Sequence, residues 1–238
     1  VNDRVVLYSI LAVLAVATLG IAALMAWSLG MLRQPRALVQ SGQWREAAIA
    51  ALRLGESWLR VFPSVREEAA HARAACLHLE GKLDESLAAG RALRDGRDAA
   101  LLEGANLVMA GGDPRRAVER LTVACASSRS MPEDLLFLAL ATHSAGEPGA
   151  AEALFAKAGV TRPRGAPSPR IYEPAFHYLR GLYLVKTNRP EEAGADLEAA
   201  AGSSIATIYV DRARALLPLE SAPDLDPRSS LTGQVIDE

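Results

Sequence analysis

The chain is poor in the residues that make covalent or metal-stapled scaffolds. Of its 238 residues only two are cysteines, Cys76 and Cys125, and they form no CxxC pair. A disulfide framework and a zinc ribbon are therefore excluded as organising devices. The two thiols are expected to act as small buried hydrophobes. Aromatics supply only 5% of the residues, while alanine and leucine abound. That balance favours helices over sheets. Lysine occurs only at Lys82, Lys157 and Lys186, and the formal net charge is -2. No basic excess is available to hold a phosphate backbone, so no nucleic-acid partner is expected.

Signatures of chemistry are missing as well. There is no HExxH, no nucleophile elbow, no P-loop and no dinucleotide fingerprint. The four histidines are His71, His78, His143 and His177. Cys76-Leu77-His78 offers two ligands where a metal site needs more. Glu67-Glu68, Glu85 and Glu191-Glu192 read as solvated helix surface or as charge at helix starts. Arg115-Arg116 with Arg120 reads as a solvated face. These residues imply no catalytic group, no cofactor and no metal, hence a protein that is not an enzyme.

Charge is absent altogether from Val5 to Leu32. The run exceeds the ~20 apolar residues that cross a bilayer. Tyr8 and Trp27 stand near its two ends, about 28 Å apart along a helix. Aromatics at both interfaces are what a spanning helix carries. The expectation is a single transmembrane helix over about 5–32, within an anchor over 1–35. Arg33 and Arg36 follow the run and Arg4 precedes it. This asymmetry favours a cytoplasmic C-terminal domain, with a periplasmic one as the alternative. The implied location is the bacterial inner membrane, in single-pass topology.

Beyond the run, one hexamer recurs five times. Its copies begin at Gly42, Gly81, Gly112, Gly146 and Asn188. Each has Gly or Asn first and Trp, Leu or Pro third. The sixth place is small: Ala47, Ser86, Ala117, Ala151 or Ala193. Gly or Asn adopts the left-handed conformation that closes a helix. Asp113 can cap the next helix, and Pro114, Pro148 and Pro190 suit its first turn. Glu191 and Glu192 complement the positive end of that helix. The small sixth residue lets two helices approach closely. Each hexamer therefore predicts the tight turn of a helical hairpin. Ala74, Ala105, Ala139 and Gly181 occupy a second close-packing position upstream of the turns.

The small sixth residues recur every 31 to 42 residues, scattered about the tetratricopeptide period of about 34. With the turn hexamers and the stretch from Tyr178 to Ala201, this resembles the tetratricopeptide-repeat (TPR) family over roughly 36–201. Together with the apolar run, the resemblance implies an all-α chain: an N-terminal transmembrane helix, then a TPR-like α-solenoid over 36–217 that includes a capping helix near Ile205–Leu216. Pro35 is expected to interrupt the first repeat, leaving a short helix over 36–40. The segment from Gly159 to Pro174 reads as a loop inserted between repeats. The remainder, 218–238, is an extended tail rich in Pro, Ser and Asp.

The resemblance also implies a concave groove lined by fixed positions of each first helix. On the second repeat these are Glu68, His71 and His78; on the third, Leu102, Asn106 and Met109. On the fourth they are Leu136, Leu140 and His143, and on the fifth Tyr178, Leu182, Val185 and Lys186. The stripe is mixed with an apolar centre, suited to a partner helix or extended segment. The alternative is that its leucines pack against neighbouring helices or against the solenoid's own tail. The function implied is a membrane-anchored protein–protein interaction scaffold, an accessory subunit of a larger bacterial membrane assembly. The alternative is an assembly or quality-control factor for membrane or envelope proteins. Partners would be other proteins, with the bilayer held through the N-terminal helix. Leu140→Glu is expected to weaken partner capture and spare the helical signal.

Overall fold

The computed structural model describes residues 43–126, 130–161 and 172–217, together with 18–20, 23, 26–28, 30–31, 33–35, 37–38 and 41. Among the described residues from 44 on, ten α-helices follow one another. They are α1 (Trp44–Glu56), α2 (Pro63–Leu79), α3 (Leu83–Gly90), α4 (Arg97–Ala110), α5 (Pro114–Cys125), α6 (Pro132–Ser144), α7 (Pro148–Thr161), α8 (Tyr172–Lys186), α9 (Pro190–Ala201) and α10 (Ile208–Leu216). A short 3-10 turn, Trp58–Val61, joins α1 to α2. The described residues contain no strand.

One expectation is corrected at this point. Among the described residues no helix is long and apolar enough to cross a membrane. Among the described residues the fold is thus all-α, without the transmembrane helix that the apolar run suggested. The longest helix from Trp44 on, α2, has 17 residues and carries Arg66, Glu67, Glu68 and Arg73 within it. Such a helix hides one face against its neighbours and leaves the other in water. Residues 5–17, 21, 22, 24, 25, 29 and 32 of the apolar run lie outside the described residues, as do 162–171 of the inserted loop and the tail 218–238. Of that loop, Gly159–Thr161 ends α7, and Tyr172 begins α8. Pro35 does not break its helix: it lies in helical backbone and is fully buried.

The five turns share one closure. The amide of the residue after each turn residue donates to a carbonyl five positions back. These bonds run from Gln43 to Leu38, Lys82 to Leu77, Gly112 to Leu107, Glu147 to Thr142 and Arg189 to Leu184, at 2.8–3.1 Å. This is the Schellman pattern, which satisfies a helix's last carbonyls. The residue between is left-handed at Gly81, Gly146 and Asn188, with φ of 80°, 90° and 61°. In the third turn it is Gly111, at 68°, and not Gly112. That turn is therefore one residue longer than the hexamer alignment implied. Asp113 fills the extra length, accepting from the amides of Arg115 and Arg116 as the cap of α5.

The shift explains where the hairpins touch most closely. Seven residues before the turn residue stand Ala74, Gly104, Ala139 and Gly181. A Cβ added at Gly181 would lie 2.8 Å from Leu197 Cδ2, and one at Gly104 2.5 Å from Leu121 Cγ. Gly104 therefore holds the place the sequence reading gave to Ala105. Leu121 and Leu197 fill the spaces so made, each contributing about 1.5–3 kcal/mol by burial. The small residues after the turns, Ala47, Ser86, Ala117, Ala151 and Ala193, are at most 1% exposed. Inner helices α2, α4, α6 and α8 pack side by side, each with its outer partner α3, α5, α7 or α9 behind it.

Candidate functional site

The chain's last described helix, α10, packs against helices far from it in sequence. In α10, Ile208, Tyr209, Val210 and Ala213 are buried, while Asp211 and Arg214 face solvent. Its contacts reach well beyond α9. The Tyr209 hydroxyl is 2.6 Å from His78 Nε2 on α2. Its ring lies 6.5 Å from Phe137 on α6 and 5.9 Å from Tyr178 on α8. Arg212 donates through Nη1 to the carbonyl of Met109 at the end of α4, at 2.5 Å. Trp44 on α1 donates through Nε1 to the Ala206 carbonyl just before α10, at 2.8 Å. The helix therefore touches all four inner helices, and Ala206 just before it is held to the start of α1. The inner face is a channel, and α10 fills it.

At its centre runs a buried chain of hydrogen bonds whose directions fix one another. Ser86 Oγ donates to the Ala74 carbonyl at 2.8 Å and so accepts from Asn106 Nδ2 at 2.9 Å. The remaining Asn106 oxygen, Oδ1, faces His78 Nδ1 at 2.8 Å. Nδ1 therefore carries the imidazole proton, and Nε2 accepts from the Tyr209 O–H. His78 is 5% exposed, Asn106 and Ser86 are fully buried, and Tyr209 is 5% exposed. Burial pushes the His78 pKa below the ordinary 6.5; the bond to Asn106 opposes this, and the charge of Arg212 adds to it. The imidazole is neutral at neutral pH, with both nitrogens committed. A fully satisfied polar chain of this kind costs little as it stands and much if one member is removed.

The other sequence-derived groove residues fall into two sets. Tyr178, 2% exposed, joins the channel wall, with Arg212 beside its hydroxyl. Leu136 and Leu140, each 1% exposed, are core. His143 meets Tyr183 edge-on at 6.0 Å, and His71 is half-buried on α2. Leu182 and Val185 are partly buried against the core, and Lys186 is exposed. On α4 the longer turn changes the register. Measured from Gly111, the positions equivalent to Leu136, Leu140 and His143 are Leu101, Ala105 and Val108. Leu102, Asn106 and Met109 sit one residue, or 100° of helix, further round. That rotation is why Asn106 points back to Ser86 and His78. Glu68 is half-buried on α2.

Four residues of this site carry no mark in the groove pattern: Trp44, Phe137, Tyr209 and Arg212. A signal for Tyr209 did exist, since an aromatic among Ile208, Val210 and Ala213 marks a buried face.

Other reactive side chains are quiet. Burial pushes the Cys76 thiol up to about 12, with Glu80 adding to it, and Sγ lies 3.2 Å from the Trp44 carbonyl. Burial, then Asp134, pushes Cys125 up to about 11. Neither is a thiolate at neutral pH. Among the described residues no group of three His, Cys, Asp or Glu could hold a metal ion. A cavity of about 340 Å³ opens beside the eight-residue α3. Two of its arginines are already paired: Arg116 with Glu103, and Arg120 with Asp95 and Glu103. No family model matches the chain, and neither a curated protein nor a solved structure does.

Proposed function

We propose that the chain is a protein–protein interaction scaffold of TPR-like hairpins that performs no chemistry of its own and serves as an accessory subunit of a larger assembly. The observation that supports this most is the arrangement of four inner helices around one channel that already accepts a helix. Stacked hairpins present curved, extended surfaces, and such surfaces hold polypeptide segments. The absence of a chemical role is argued from commitment. His78 has both nitrogens bonded, and both thiols are held in the protonated form.

A second surface supports the same reading. Ile49 and Leu52 on α1, with Val61 at the end of the 3-10 turn and Phe62 after it, are about half exposed or more. Four large apolar side chains within 14 residues exceed the single exposed hydrophobics of an ordinary surface.

The experiment is site-specific photocrosslinking in the native cell, from Ile49, Phe62 and Lys186. The scaffold reading expects the same discrete polypeptide adduct from at least one position in repeated preparations. The reading is overturned if every position yields only diffuse, irreproducible adducts.

A further inference from the structure

We propose that α10 is a displaceable internal ligand: it closes the channel in the resting chain, and a partner helix presenting the same Ile-Tyr-x-x-Arg anchors opens it by exchange. The proposal rests on the scaffold reading above and adds to it what the channel binds and what keeps it shut.

The contacts of α10 are those of a docked peptide. A helix that only capped the last hairpin would need to cover α8 and α9. This one also bonds to His78 and Met109, which lie 131 and 103 residues from their partners in the chain, and Ala206 just before it accepts from Trp44, 162 residues away. Ile208 packs over the first complete hairpin's turn, where its Cδ1 would be 3.4 Å from a Cβ at Gly81. Three anchors thus carry the recognition. Ile208 covers the Gly81 turn, Tyr209 reaches His78, and Arg212 reaches the carbonyl end of α4. Tyr and Arg three apart lie on one side of a helix, so a second helix with that spacing makes the same bonds.

The channel is also built to survive without its occupant. Beside the apolar contacts of Ile208, Tyr209 and Ala213, α10 engages three polar groups: His78 Nε2, the Met109 carbonyl and the Tyr178 hydroxyl. Water can satisfy each of them when α10 leaves, which a purely apolar channel would not allow. The remaining hairpins keep their own contacts, since α8 packs on α9 and on α6 without α10. The occupant is the weak partner. At nine residues α10 is too short to hold its helix alone in water. Its link to α9 is the non-helical stretch 202–207, with Gly202, Ser204 and Ala206 exposed. Departure is therefore a local unfolding of one short element on a tether.

The test uses the full chain and a fluorescein-labelled synthetic peptide of residues 203–217. A release variant, Tyr209→Ala with Arg212→Ala, is compared with the unaltered chain by fluorescence anisotropy. The release variant is expected to bind the peptide at least tenfold more tightly, with its helical circular dichroism retained. A peptide carrying the same two substitutions is expected to bind at least tenfold more weakly. Equal binding to both proteins, or a release variant that loses its helical signal, overturns the proposal. Native-state hydrogen exchange on the unaltered chain gives an independent check. Amides of 208–216 are expected to exchange at least tenfold faster than those of α6. Exchange of both in one step overturns it. Failure here with the photocrosslinks at Ile49 or Phe62 intact leaves the scaffold standing on its outer face. Peptide binding without any cellular adduct removes the scaffold reading instead.

Discussion

The Tyr209 hydroxyl lies 2.6 Å from His78 Nε2, across 131 residues of sequence. That one bond ties the last described helix, α10, to α2. Tyr209→Phe keeps the ring in place and leaves a buried nitrogen without its donor. The expected loss is about 1–3 kcal/mol of stability, measured as a shift in the urea midpoint. An unchanged midpoint means that water already occupies the bond.

The same imidazole gives the fold a dependence on pH. His78 has its pKa lowered in the folded chain, chiefly by burial, from an ordinary 6.5. The unfolded state therefore takes up a proton at 6.5 and the folded state only at lower pH. Stability is full above pH 6.5 and declines as pH falls below it, by at most about 1.4 kcal/mol per pH unit. Urea titrations at about pH 7.5 and 5.5 should show this loss in the unaltered chain. In His78→Gln the loss should be smaller; an equal loss assigns the effect to other groups.

Leu140 tests the difference between groove and core. The sequence left it between a partner surface and packing against neighbouring helices; it is 1% exposed within α6. Leu140→Ala is expected to cost about 2–5 kcal/mol. Leu140→Glu would bury a charge and should abolish the helical signal along with any capture. A well-folded Leu140→Glu chain would return Leu140 to the surface.

Two glycines should respond in opposite directions. At Gly181 a Cβ meets Leu197 at 2.8 Å, whereas at Gly194, in the interior of α9, it meets nothing within 4 Å. Gly181→Ala is expected to destabilise by about 1–3 kcal/mol through overpacking. Gly194→Ala should stabilise by about 0.5–1 kcal/mol through helix propensity. Thermal unfolding of the two variants decides the matter, and shifts of the same sign contradict the packing described.

Asn188 is the non-glycine turn residue at positive φ, 61°. Asn188→Gly should be nearly neutral, and Asn188→Val should cost about 1–2 kcal/mol because of its branched Cβ. Urea midpoints of both variants would check this; equal midpoints would show that the turn does not need the left-handed conformation.

Much of the helical pattern was legible because hairpin closure is local chemistry. A Gly or Asn, a helix-starting residue two later and a small residue three further on specify a turn without reference to the rest of the chain. Where two glycines adjoin, as at Gly111-Gly112, that local code is ambiguous, and it slipped by one residue. The slip carried Leu102, Asn106 and Met109 round α4 and hid the role of Asn106. The occupancy of the channel was less legible still. It depends on curvature summed over successive hairpins, which brings Trp44 and His78 to Ala206 and Tyr209. An apolar run likewise counts only the residues along the chain. It does not show which faces helices will turn toward one another, and no described helix has the length and apolarity of a span.

The most direct measurement is a double-mutant cycle between His78→Leu and Tyr209→Phe, read by urea unfolding. If α10 sits in the channel through this bond, the two changes are coupled by about 0.5–3 kcal/mol. Strict additivity, within about 0.3 kcal/mol, would mean that the two residues do not meet and that the channel is not occupied by α10.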